Sequence, residues 1–149
     1  MSLLTGKLFY EALKHDADLM QVTGGRIYST AIETSPMDED KTPLPYIILM
    51  MNGGSNDQTT KDGFEGMTDQ VQIAAEIAAD GTDTVLEIAD QVREAIRNYF
   101  TDVQSGAVET ENADLLPNDY VFTWDPVSWD WSKPCHFTTL HWACDTNTY

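Results

Sequence analysis

The chain has 149 residues, 42% of them hydrophobic, and its 8 basic and 25 acidic side chains give a formal net charge of −17. That length fits a single domain, residues 1–149, with one sizeable core. No stretch nears 18 consecutive apolar residues, which excludes a membrane-spanning helix, and so acidic a surface repels phosphate, which excludes duplex binding through a basic footprint.

The N-terminal MSLLTGKLFYEALKHDADL is broken by Lys7, Glu11 and Lys14, so it lacks the apolar run of a signal peptide. Its periodicity predicts one amphipathic helix from about Ser2 to Leu19, with Leu4, Leu8, Phe9, Ala12 and Leu13 toward the core. Gly24-Gly25 stops it, and Arg26-Ile27-Tyr28 starts a short extended piece. Glu33 to Pro45 is a polar, proline-punctuated loop whose Asp38-Glu39-Asp40 is a solvated run rather than a catalytic pair. Tyr46 to Met51 is a continuous apolar run, as in a strand buried on both faces or at a subunit contact. Asn52 to Gly66 reads either as a long hairpin loop or as a strand tip leaving the body. It carries three candidate partner-contact residues, Asn56, Lys61 and Phe64, although a lone Phe64 is also what a residue folded back on the core looks like.

The clearest signal follows. From Asp69 to Ala79 the chain alternates, with Val71, Ile73, Ala75 and Ile77 on one face and Gln70, Gln72, Ala74 and Glu76 on a solvated one. After Asp80-Gly81 the period changes to that of a helix, with Val85, Leu86, Ile88, Ala89, Val92, Ile96 and Tyr99 in its stripe. Thr84 and Glu87 have capping-box spacing, and about 19 residues make a helix of about 28 Å. Thr101 to Asn118 is a polar, acidic connector, Asp119 to Trp124 a strand, Val127 to Pro134 a tryptophan-rich turn, and Cys135 to Cys144 a last strand before a polar tail.

Few residues here are arranged for chemistry. His136 and His141 fall on opposite faces of a strand and cannot share a metal. Cys135 and Cys144, nine apart on one strand, lie about 30 Å apart, beyond disulfide reach, and read as reduced cytosolic thiols. There is no Gly-x-Ser-x-Gly elbow or phosphate-binding loop, and no cofactor site is expected. An enzyme is not expected. From Thr101 onward eight acids face Lys133 alone. Such a face suits a DNA mimic, a partner for something basic, a wall to which DNA does not stick, or plain solvation. Trp124, Trp129 and Trp131, close together around Pro126, suggest an aromatic contact patch, a sugar-stacking platform, or aromatics closing one end of the core.

The order of pieces resembles a known family. A leading helix, Gly25-Arg26-Ile27-Tyr28, Pro43-Leu44-Pro45-Tyr46, Val71-Gln72-Ile73 and the helix from Ile88 to Ile96 resemble the tail-completion, or tail terminator, proteins of long-tailed phages and prophages. The resemblance covers about Met1 to Phe100, with the final strand in outline. It implies an α+β fold, a single mixed and mainly antiparallel sheet with two helices packed on one face. It also implies a homo-oligomeric ring, commonly hexameric, that caps the tail tube and joins it to the head-completion (connector) protein. The protein would assemble in the host cytoplasm and end in the virion neck. On this reading Asn56, Lys61, Phe64, Trp129 and Trp131 are the expected contacts. The alternative, resting on net charge, is an acidic inhibitor or immunity-type module for a basic partner, whose complex would be salt-sensitive.

Overall fold

Strand and helix meet at Asp80-Gly81 as the change of period requires. The computed structural model describes residues 4–29, 43–57, 68–131 and 134–147. Helices α1 (Gly6–His15) and α2 (Ala17–Thr23) precede strands β1 (Ile27–Ser29), β2 (Tyr46–Asp57) and β3 (Thr68–Ala79). Helix α3 (Thr82–Ser105), a 3-10 turn (Ala113–Leu115) and strands β4 (Asp119–Trp124), β5 (Ser128–Asp130) and β6 (Cys135–Asn147) complete it. The strand order is β1-β2-β3-β6-β4, with β5 also pairing with β6. β1 runs parallel to β2 and the other pairs are antiparallel. The fold is α+β, with the expected mixed and mainly antiparallel sheet, but the described residues form three α-helices rather than two.

The extra helix comes from Asp16. It is extended (φ −82°, ψ 111°), and its carboxylate accepts from the Leu19 amide at 3.0 Å. Aspartate favours this capping geometry over a helix interior, so the expected Ser2–Leu19 helix breaks there, although Leu13 and Leu19 are both buried. Gly24 then closes α2 in the left-handed conformation at φ 61°.

α3 starts earlier and ends later than its sequence suggests. Its N-cap is the extended Gly81, with no side-chain cap, so the Thr84–Glu87 box is not used; the first turn closes from Val85 N to Gly81 O at 3.0 Å. At the far end Val103 continues the buried stripe from Ile96, Tyr99 and Phe100, and the helix reaches 24 residues, about 36 Å. Part of the expected connector is therefore helix. The stripe meets Leu8, Phe9 and Leu13 of α1, Leu19 of α2, and Ile47, Leu49, Ile73, Ile77, Leu140 and Trp142 of one sheet face in a single core.

The other face is less wet than alternation suggests. Ala74 and Ala78 are buried, and Tyr46, Ile48, Ala78 and Cys135 form a second cluster with Tyr28, Leu44, Met50 and Phe137. This accounts for the unbroken run from Tyr46: Ile47 and Leu49 belong to the main core, Tyr46 and Ile48 to the second. Two of the family-like stretches touch here. The Arg26 guanidinium donates to the carbonyls of Pro45 (3.1 Å) and Leu44 (3.3 Å), beside a register of Ile27 against Ile47. Farther along β2 the register shifts between Met51 and Gly54. A Cβ on Gly54 would lie 1.8 Å from the Gln70 carbonyl oxygen, so the glycine serves a bulge.

Glu11 ties the segment after α3 to α1. Its carboxylate accepts from Tyr99 Oη at 3.2 Å, Thr110 Oγ1 at 2.7 Å and the Asn112 side-chain amide. Glu11→Ala leaves three donors to find water, and is expected to cost about 1–3 kcal/mol. Urea denaturation would read this, and an unchanged midpoint would show the network to be idle.

Cys135 and Cys144 are buried thiols, one in each cluster of β6. Burial, with Asp145 adding, pushes the Cys144 thiol up to about 12. Burial also raises Tyr99, with Glu11 contributing, and raises Tyr120 against the pull of Arg97 and Arg93. Each group holds its proton more tightly when folded, so its contribution is complete below its ordinary value and is lost as pH rises toward the folded one. For Cys144 that window is 9.0 to about 12. The melting temperature is expected to hold up to about pH 9 and then fall, and to fall less in Cys144→Ala relative to its own neutral-pH value.

Candidate interaction surface

The four tryptophans divide sharply. Trp142 is 1% exposed, in the core between Phe9 (centroids 5.4 Å) and Phe122 (5.3 Å). Trp124, Trp129 and Trp131 are 62%, 39% and 86% exposed. Leu86 and Val121 are also exposed, and of the six exposed large hydrophobics among the described residues only Val22 lies elsewhere. The other five lie on or beside β4, β5 and α3.

Register explains the arrangement. β4 and β5 share one side of β6, with Trp124 opposite Leu140 and Trp129 opposite His136. By the two-residue period Tyr120, Phe122 and Trp124 take the α3 side of β4 and Val121 and Thr123 the other. The expected tryptophan-rich turn is thus partly strand: Ser128 to Asp130 hydrogen-bond to β6. Trp129 packs edge-on to Trp131 (5.8 Å) and against His136 (4.7 Å), whose Nδ1 lies 3.1 Å from the Asp80 carbonyl oxygen. Between the two strands Asp125 forms a tied corner. Its amide donates to Thr139 O at 3.0 Å, its carbonyl accepts from Thr138 Oγ1 at 2.8 Å, and its carboxylate meets His141 Nε2 at 3.1 Å.

Between this edge and the first half of α3 runs a groove of about 310 Å³, lined by Leu86, Asp90 and Arg93 on the helix and Phe122, Trp124 and Leu140 on the sheet. Leu86, expected in the core stripe, sits instead at its margin and is 47% exposed. Arg93 lies over the Phe122 ring at 4.6 Å, so an aromatic face here already holds a guanidinium. Asp83, Leu86 and Asp90 follow one another at three- and four-residue spacing along the helix.

Of the expected contacts, Trp129 and Trp131 fall on this surface. Asn56 lies in β2, opposite Asp69, on another part of the sheet, and Lys61 and Phe64 lie outside the described residues. Sequence reasoning left Trp124 unseparated from the other tryptophans and did not select Val121 or Leu86. Among the described residues no three His, Cys, Asp or Glu side chains gather as a metal site, and no helix is long and apolar enough to cross a membrane.

The described residues thus form an α+β fold with an open mixed sheet and exposed apolar side chains along one edge. The profile of the tail completion protein gp17 family matches residues 7–116, and the chain belongs to that family. It is accordingly a structural protein of a phage-type tail. Among solved structures it is similar to a chain from the virion of a native gene transfer agent particle, with TM-score 0.54 and 15% identity over 94% of this chain and 92% of that one. At that identity the likeness is one of fold. No curated protein matches the sequence. The family match ends at residue 116, before β4, so the tryptophan edge lies beyond the matched residues.

Proposed function

We propose that the protein is a tail terminator. Copies assemble into a ring, hexameric as the family resemblance implies, that caps the tail tube, ends its growth and joins it to the connector of the head. Its role is structural rather than catalytic. Family membership supports the reading, and the observation that carries it is the one-sided apolar edge of β4, β5 and α3. The ring needs this edge to meet an unlike surface of the next copy rather than its own counterpart about a two-fold axis. Copies joined by unlike surfaces form closed rings when the rotation closes. The net charge of −17 suits a ring whose passage DNA crosses without adhering, because few cations are offered to its phosphates.

Light scattering after gel filtration, then negative-stain imaging with and without tail-tube protein, tests this. Rings, free or on tube ends, are expected. A chain that stays monomeric and ignores the tube at about 50 µM, a concentration that would reveal even a weak contact, would sink it.

A further inference from the structure

Strand β4 ends the sheet, so its outer edge has no strand partner among the described residues. Natural edges are commonly blunted by a lysine, a proline or a bulge within the strand. β4 has none of these; its acids stand only at Asp119, where it begins, and at Asp125, just past its end. Val121 and Trp124 on it are more than half exposed. Beside it the groove is lined by Trp124, Asp90 and Arg93, the last held over the Phe122 ring, with Asp83 outside the groove but farther along the same helical stripe. An aromatic face near carboxylates selects a cation, as Arg93 over Phe122 already shows within the chain.

We infer that β4 takes up an extended, arginine- or lysine-bearing segment of a neighbouring tail protein as an added strand, its cationic side chains entering the groove between Trp124 and Asp90. The inference rests on the chain being a tail-assembly component. Backbone hydrogen bonds to the edge supply attachment, and alternate side chains supply choice. Residues on the groove side would be basic, and those on the Val121 and Thr123 side apolar. A second copy fits the site less well. The described basic residues of this chain lie on α1, on α3 or just before β1. Arg26, Arg93 and Arg97 are moreover engaged with the Leu44 and Pro45 carbonyls, the Phe122 ring and Glu94.

The probe is the peptide acetyl-Thr-Arg-Val-Arg-Val-Arg-Thr-amide, titrated into isotope-labelled full-length protein and followed by amide and indole chemical shifts. Shifts centred on β4 and the Trp124 indole are expected, with a dissociation constant below about 1 mM. Replacing the arginines by glutamates should weaken binding at least about tenfold, as should Trp124→Ala or Asp90→Asn in the protein. Both side chains are exposed, and each variant's melting curve checks that it folds. A peptide with proline in place of both valines keeps the charge but loses strand pairing, and should bind at least about tenfold more weakly. Absent binding, equal binding of the glutamate or proline peptide, or shifts centred away from β4 would overturn the inference. Each of those results leaves the ring and tube-capping test untouched, so the two can fail separately.

Discussion

Trp142→Ala is expected to remove about 3–5 kcal/mol of stability, the usual cost of deleting a fully buried tryptophan. A domain of this size has only about 5–15 kcal/mol in total, so the variant should be largely unfolded at 37 °C or close to it. The cost is concentrated at Trp142 because of what meets there. Its ring stands between Phe9 of α1 and Phe122 of β4, and Phe9 packs at 4.9 Å on Phe100 of α3. One side chain thus joins both ends of the chain to the long helix. Trp142→Phe keeps much of the volume and is expected to cost about half as much or less. Guanidinium denaturation of the three proteins decides it; a loss under about 1 kcal/mol in Trp142→Ala would mean that the core closes around the gap.

The double variant Trp129→Ala/Trp131→Ala is expected to do the reverse. Trp131 is 86% exposed and Trp129 39%, so folding stability should move by about 1 kcal/mol or less. On the proposed reading, in which this edge docks onto a tail partner, association should weaken by at least about 2 kcal/mol, or about thirtyfold, because buried tryptophans commonly carry much of an interface's binding energy. Val22→Ala is the control, being 43% exposed, close to Trp129, and lying on α2, away from the edge. Counting capped tube ends in stained fields against protein concentration measures the difference. Equal capping by the double variant and the control would remove these tryptophans from the interface.

How far the sequence could be read follows from how local each signal is. β3 and α3 were legible because their period changes from two to about 3.6 at Asp80-Gly81, within one continuous stretch. The break at Asp16 was not, because apolar spacing runs through it and only a backbone hydrogen bond to its carboxylate reveals the cap. β5 has three residues and two turn-like neighbours, so Trp129 and Asp130 look like loop until β6 is placed beside them. Strand order depends on pairings such as Thr68 with Asn147, which no window of sequence contains. At the surface, the clustering of Trp129 and Trp131 fits a contact patch and core closure equally, and only their placement beside β6 shows them to be exposed. Separating Trp142 from Trp124 needs the sheet, although β4 held a hint: alternation puts Phe122 and Trp124 on the groove side and leaves Val121 outward. Leu86 was misplaced because a helical stripe has margins, and it sits on one.

The long β6 strand also governs how force would pass through the molecule. One flank is held by β3 through twelve consecutive residue pairs, and the other is divided between β4 and β5 on either side of the Asp125 corner. Load drawn along the strands from the tryptophan edge would therefore act on the β3–β6 hydrogen bonds in shear, many at once. Load drawn across the sheet would open them one after another. The same fold is stiff in one direction and comparatively weak in the other, and a cap at the end of a tube would gain from having its strands lie along the direction of pull.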